Sequence, residues 1–459
     1  VNLFHIAWRN IQQRGLASIL TMFSMGLGVA LVVMVLGIGW VISESFSRNS
    51  NVGYNLIVGA KGGALQLTLN TVFYLSKPIE VLPYEEYLEF LPGNGRAEEI
   101  QRVGGRIEDP QRKGLYSLYM SGGFAIPVCL GDYFGPFRVV GTKPEFFEKL
   151  RYGESGDREY AFAEGRNFQD YSPEHGYFES VVGWQAARQM NKQVGDTFQT
   201  THGDPEGEGH GQKFTIVGIL EPTGTPNDRA AFINIEGFYL MEGHAREFED
   251  AANPDAEKED VETAGETQQQ PPRLPLEKRD ITAVLVKPGN GLFAMNMQQA
   301  IKKSLRAQAA SPIEEIGNLF NNFVEPVKNA LLALTIVVCF VSAISILVSI
   351  YNSMNERKRD IAVMRALGAR RDVVLMVILL ESLLIAVGGG LLGWLAGHAL
   401  GAAFSPLVED RTGITIGFFN TITALEWSLI PGLMVLATLA GIIPAFVAYR
   451  TNVSQNLGT

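Results

Sequence analysis

Hydrophobic positions along this chain gather into four long runs separated by polar stretches of very unequal length. No charged residue lies between Arg14 and Glu44, and Ser18–Ile42 is dense in Leu, Val, Met and Gly. A second charge-free run lies between Lys328 and Glu356. A third runs from Val373 to Val408, interrupted only by Glu381 and His398, and a fourth fills Trp427–Tyr449. Roughly 20 apolar residues in a helix cross the hydrocarbon of a bilayer. The pattern therefore predicts membrane helices over residues 18–42, 328–352, 372–402 and 426–449. The first run is too long for the ~7–15-residue apolar core of a secretory signal and lacks a convincing small-x-small cleavage site. Ahead of it, Leu3, Phe4, Ala7, Trp8 and Ile11 recur at helical spacing with Asn10, Gln12 and Gln13 between them. Residues 1–17 thus read as an amphipathic helix at the cytoplasmic interface.

The loops orient these helices. Arg9 and Arg14 precede the first, and the connection over 353–371 carries Arg357, Lys358, Arg359, Arg365, Arg370 and Arg371. Basic loops stay in the cytoplasm. The loop over 403–425, with Glu409 and Asp410 against Arg411, then lies outside, the tail over 450–459 lies inside, and residues 43–327 form one large external region. In the third helix Gly389, Gly393 and Gly397 stand four apart, a small-residue face that lets another helix approach closely.

In the external region, β-branched and aromatic residues mark strands at Leu56–Val58, Phe137–Val140, Phe214–Leu220, Ala231–Ile235 and Thr282–Val286. Helices are expected over Thr142–Leu150, with Thr142 as N-cap, Val182–Met190 and Leu292–Arg306. The fold class is therefore membrane α-helical with a large α+β external domain. Residues 246–276 turn to Glu, Asp, Gln, Ala and Pro and read as a disordered insertion.

Composition narrows the function classes. A mean hydropathy of +0.09 suits a mixture of membrane and aqueous parts. The net charge of -10 speaks against nucleic acid as a partner. Two cysteines, Cys129 and Cys339, offer no disulfide framework. There is no G-x-S-x-G elbow, no H-E-x-x-H helix, no C-x-x-C pair and no Walker A loop, so no catalytic or cofactor-binding residue is expected, nor ATP hydrolysis by this chain. His202 and His210 flank a Gly/Glu-rich stretch containing Asp204, Glu206 and Glu208. That stretch reads as a mobile hairpin tip, whereas metal ligands need fixed supports, so no metal site is expected there.

The cytoplasmic connection Glu356-Arg-Lys-Arg-Asp-Ile-Ala-Val-Met-Arg-Ala-Leu-Gly-Ala369 resembles the signature of FtsX-like ABC-transporter permeases, the family that includes MacB, LolC, LolE and FtsX. Ala7, Arg9, Asn10, Arg14, Leu20, Thr21 and Gly28 near the start look like the family's pattern, as do Pro444, Ala445, Ala448 and Val453 near the end. Asp360 stands where the family usually has Glu, and Ala17 where relatives are often basic. The phrases Val58-Gly-Ala-Lys-Gly62 and Pro222–Arg229 look like those of uncharacterised members.

The resemblance implies a MacB-like periplasmic core domain and a permease domain over 328–459, in the inner membrane. It also implies a second permease chain, alike or related, and an ABC ATPase partner that binds ATP and Mg while this chain binds no cofactor. Arg357, Arg359, Asp360, Ile361, Met364, Arg365, Leu367 and Gly368 would contact that ATPase. Written as a helix, these residues form an apolar ridge edged by positive charge, a shape that fits a groove on a partner; a basic loop touching lipid head groups is the plainer reading. Glu381, two to three turns inside the third span, must face protein or water and is expected either to hold polar groups such as Ser345 or Ser349 of a neighbouring span or to lie protonated in the bundle. Three functions compete. The chain could be an ATPase-driven permease for a lipoprotein, lipid, peptide or amphiphilic drug, an FtsX-type signalling subunit controlling a cell-wall hydrolase, or a tethered binding protein. The coupling-like helix argues against the last.

Overall fold

The computed structural model describes the chain apart from residues 1, 51, 79, 154, 204, 206, 208, 242, 245–272, 357–368, 413–416, 419–423 and 451–459. It divides into two compact units, Val1–Ser45 with Asn321–Thr459, and Phe46–Phe320.

The first unit is helical. Leu3–Gln13 begins at Asn2, whose side chain accepts the Phe4 N–H at 3.1 Å. It buries Ala7 and Ile11 and leaves Phe4 and Trp8 exposed, the division of an interfacial helix. Among the described residues, four helices are long and apolar enough to cross a membrane, with candidate spans Gly15–Val41, Pro312–Asn352, Arg371–Val408 and Glu426–Ile443. Their common core is built from Met25, Val29 and Val33 of the first, Ile346 and Ile350 of the second, Ile378 and Ile385 of the third and Ala437 of the fourth. The third helix, Arg371–Thr412, runs ten residues past the expected limit at 402, with Pro406 inside it. Its sequence remains apolar through Leu407 and Val408, and the charges that follow do not stop a helix. The expected 403–425 loop is correspondingly shorter. A turn of 3-10 helix, Ala424–Ser428, leads into the fourth helix, Leu429–Arg450.

The second unit is built on a mixed sheet. Its strands, in chain order, are β1 (Leu56–Ala60), β2 (Leu82–Pro83), β3 (Phe124–Phe134), β4 (Phe137–Thr142), β5 (Phe162–Gly165), β6 (Glu179–Val182), β7 (Thr197–Phe198), β8 (Thr201–His202), β9 (Phe214–Leu220), β10 (Ala230–Asn234), β11 (Asp280–Ile281), β12 (Ala283–Lys287) and β13 (Ala307–Ala310). The main path is β13-β1-β12-β3-β4-β10-β6-β9-β5, with β7 beside β9 and β8 beside β3, while β11 and β2 form a separate pair. Among the described strand pairs, β10–β4 and β6–β9 are parallel and the others antiparallel. The central strands are buried on both faces: Val139, Ile233, Val284 and Ile216 point into one apolar cluster, and Val140, Phe232, Leu285 and Leu220 into the other. This double burial explains their near-continuous apolar sequence.

Three expectations need correction here. Thr142 ends β4 and donates to the Pro127 carbonyl, so it does not cap the following helix, which is Glu145–Lys149 after Pro144. Val182 belongs to β6, and its helix is only Trp184–Gln189. The helix expected to start at Leu292 is Gly291–Lys302, capped by the Asn290 side chain, and the chain beyond becomes β13. Of the expected disordered stretch, residues 246–272 lie outside the described part of the chain, but Leu276 is buried in the core. Cys129, one of the two cysteines, lies in the interior. It is buried on β3 beside the Tyr239 hydroxyl, where burial pushes its thiol up to about 12.

Candidate functional site

Three of the membrane helices meet at a polar node. Arg14 ends the interfacial helix, and its guanidinium turns inward to 12% side-chain exposure. It donates to Glu381 Oε1 at 3.3 Å on the third membrane helix, and to the carbonyl and hydroxyl of Ser349 at 2.6 and 3.3 Å on the second. The Thr21 hydroxyl of the first helix lies 3.4 Å from that of Ser349 and donates to the Ala17 carbonyl. Glu381 is thus tied to Ser349 through a cation. Ser345 instead bonds the Val341 carbonyl on its own helix. A carboxylate and a guanidinium buried at this depth are tolerable because each neutralises the other and the hydrogen bonds are shared.

Above the node the first and third helices touch along their glycines. A methyl group added at Gly389 would stand 2.8 Å from the Met22 carbonyl, and one at Gly397 2.8 Å from the Val33 side chain. At Gly393 it would collide with the Gly26 backbone. Backbones at this distance leave no room for a Cβ. Further along the third helix, His398 Nε2 sits 2.9 Å from Glu426 Oε2, and the Trp394 indole N–H donates to the same oxygen at 3.3 Å. Both partners are buried, and Glu426, expected at the start of the fourth membrane helix, lies in the 3-10 turn just ahead of it.

Every residue expected to contact an ATPase, namely Arg357, Arg359, Asp360, Ile361, Met364, Arg365, Leu367 and Gly368, lies outside the described residues. What is described is their frame: the second helix, Glu325–Glu356, ends immediately before them and Arg371–Thr412 begins three residues after. The node residues Ser349 and Glu381 sit on those same two helices.

In the second unit a buried charge network pins the segment around Tyr84–Arg102 to the sheet. Arg279, fully buried, forms a two-pronged pair with Glu236 at 2.7 and 3.0 Å and stacks between the rings of Tyr84 and Tyr239. Glu99 accepts from Lys143 at 2.9 Å, from Arg102 at 2.8 Å and from the Tyr84 hydroxyl at 2.7 Å. Burial pushes the Glu99 carboxyl up, but Lys143 and Arg102 outweigh it and hold the group at about 2. Sequence inspection gave no sign of this network, because its partners are 15 to 44 residues apart except for the Glu99–Arg102 pair, three apart, and none belongs to a motif. His202 and His210, at the two ends of the Gly/Glu-rich stretch, are brought against Asp132 and His244.

A bundle of four membrane-spanning helices carrying a large α/β domain between the first and second defines a multi-pass membrane protein with an appended folded domain. Its sequence assigns it more narrowly. Residues 18–266 match the MacB-like periplasmic core domain, and residues 332–453 match the FtsX-like permease C-terminal domain. The chain belongs to the MacB/FtsX-type ABC-transporter permeases. It is 22% identical to an uncharacterised ABC transporter permease of Methanocaldococcus jannaschii, over 99% of this chain and 96% of that one. It is 26% identical to the macrolide export ATP-binding/permease protein MacB of Hahella chejuensis, over 38% of this chain and 26% of that protein. A similar partial match, 24% identical, is to a probable syringafactin export ATP-binding/permease protein of Pseudomonas syringae pv. tomato, covering 26% of its length.

Proposed function

We propose that this permease is driven by an ATP-binding partner chain and works on an amphiphilic substrate outside the inner membrane, with residues 357–368 taking force from the partner. The observation that carries this reading is the sequence Glu356–Ala369 between two membrane helices that the Arg14–Glu381–Ser349 node ties together. A push on the connection reaches both helices at once, and the node passes it to the first. These 459 residues hold no phosphate-cradling loop, and in this reading nucleotide turnover belongs to the partner. The second membrane helix leaves Val337, Phe340, Val341, Ile344 and Val348 exposed, an apolar flank suited to lipid or to a second permease chain. The matched relatives named for macrolide and syringafactin export favour an amphiphile as cargo. The size of the Phe46–Phe320 unit favours substrate handling over a signalling contact.

Met364→Asp tests the coupling role, because it would place an unpaired charge in the apolar contact with the partner. The variant is expected to insert normally yet lose copurification with the ATPase and ATP-dependent function, while Lys358→Gln, which removes one solvated charge, changes little. Wild-type copurification by Met364→Asp at equal membrane expression would refute the role of this segment.

A further inference from the structure

Three of the chain's six histidines converge on one aspartate in the second unit. Asp132 lies in β3 where the pairing with β4 shifts register between Leu130 and Tyr133. A bulge of this kind re-aims a side chain, and here the carboxylate is completely buried. The short strand β8 pairs with this part of β3, setting His202 opposite Asp132. The hairpin is closed by the Thr201–Gly209 bridge and by the His210 N–H on the Thr200 carbonyl at 2.9 Å. It is anchored to β3 by the Gly203 N–H on the Gly131 carbonyl. His244 arrives from the other side, its ring packed 4.3 Å from that of the core residue Phe238.

The donor atoms form a tight shell. His202 Nδ1 is 3.3 Å from Asp132 Oδ1, while His210 Nε2 and His244 Nε2 are 3.2 and 3.3 Å from Oδ2. The two Nε2 atoms are 3.2 Å from each other, and all the donors lie within 4.8 Å. Nitrogen and oxygen ligands at about 2.0–2.1 Å from a tetrahedral zinc ion stand about 3.3 Å apart along each edge, which is the spacing of the triangle made by His210 Nε2, His244 Nε2 and Asp132 Oδ2, with His202 meeting the carboxylate at its other oxygen.

Hydrogen bonding alone accounts poorly for the arrangement. Two Nε2 atoms and Oδ2 make a triangle with three short edges. If both rings carry the Nε2 proton to reach the carboxylate, the two N–H groups confront each other; if one does not, its nitrogen faces the carboxylate lone pairs. Oδ1 meanwhile accepts no hydrogen bond from any described residue, although it is buried. A cation at the centre satisfies every one of these atoms together. The Thr200 hydroxyl donates to Oδ2 at 2.9 Å and so orients the carboxylate, the kind of support that ligating carboxylates have.

We propose that Asp132, His202, His210 and His244 form a binding site for a divalent transition-metal ion, zinc in the first place, that fastens the 200–210 hairpin and the chain at His244 to the β3 bulge. Three imidazoles and one carboxylate suit zinc and its neighbours, whereas calcium and magnesium prefer all-oxygen shells. The His202 ring is 60% exposed, against 8% and 6% for His210 and His244, so the ion enters and leaves from the His202 side. This inference concerns the second unit alone and stands or falls apart from the transport reading.

The test uses the full chain in detergent, purified without a polyhistidine tag, stripped with EDTA, supplied with zinc chloride and desalted. Elemental analysis should find one zinc per chain, and zinc should raise the melting temperature of the stripped protein. His202→Gln, which alters a mostly exposed side chain and spares the core, should weaken zinc affinity at least about tenfold. The double variant His210→Gln/His244→Gln should abolish retention, and both variants should lose the zinc-dependent thermal shift. His175→Gln, away from the cluster, should behave as wild type. Circular dichroism of the stripped forms separates loss of the site from loss of the fold. Wild-type protein retaining no zinc, or His202→Gln binding it as tightly as wild type, would overturn the proposal.

Discussion

At the scale of single residues, this protein places charge where charge is costly and makes each instance depend on a specific partner. Removing one member of a buried pair leaves the other uncompensated, typically at a cost of roughly 3–5 kcal/mol. Glu381→Leu, which strands Arg14 beside Ser349, should lower the melting temperature in detergent markedly. The double variant Arg14→Met/Glu381→Leu should recover most of that loss, as measured by thermal unfolding. Equal damage from the single and double variants would show that the node acts by something other than its charge balance. In the second unit, Glu99 is held at about 2, below its ordinary value of about 4.3. A depressed carboxyl contributes stability that is fully present above the unfolded value and is lost as the pH falls through the folded one. The unfolding temperature of this unit should therefore fall between about pH 5 and pH 2. Glu99→Gln should be less stable at neutral pH, because Lys143 and Arg102 lose their counterion, and its acid slope should be shallower.

At the scale of elements, the contact between the first and third membrane helices rests on the absence of side chains. Gly393 faces the Gly26 backbone, and Gly26 in turn faces the Gly389 carbonyl, where an added Cβ would stand at 3.1 Å. Gly393→Leu should force these helices apart, with an overpacking cost of about 1–3 kcal/mol or more. Gly432→Ala, in the fourth helix with open space around it, should be tolerated. Expression level and thermal stability in detergent would distinguish the two, and comparable behaviour would mean that the seam does not govern packing. The spacing of Gly389, Gly393 and Gly397 is visible in the sequence. Their partner is not, because nothing in a four-residue repeat says which of three other helices will lie against it. The same limit explains the misplaced cap at Thr142: a threonine before an apolar stretch looks like an N-cap locally, but pairing with β3 and β10 keeps it in a strand.

At the scale of the whole molecule, the asymmetry of basic residues argues that the Phe46–Phe320 unit lies outside the cytoplasm. Reporter fusions after Glu108 and Glu409 should read external, and fusions after Lys358 and Thr459 cytoplasmic. A cytoplasmic signal at 108 would invert the arrangement. Purified by itself, the chain should show no ATPase activity, and hydrolysis should appear when an ATP-binding partner is added, as followed by phosphate release. Robust turnover in a preparation free of such a partner would contradict the division of labour proposed for it.

The sequence by itself determined the membrane helices, the order of membrane and folded parts, the glycine face and the family to which the chain belongs. Each of these depends on runs and periodicities of neighbouring residues, and the physics that reads them, hydrocarbon thickness and helical repeat, is local. Tertiary structure alone decided which polar groups would meet. Arg14 and Glu381 are 367 positions apart, and the Asp132 cluster draws two histidines from around β8 and the third from the chain that follows Phe238. Such meetings follow from strand order, from one extra residue in β3 and from helix packing, so they are set by how elements assemble and leave no period in the chain for inspection to find.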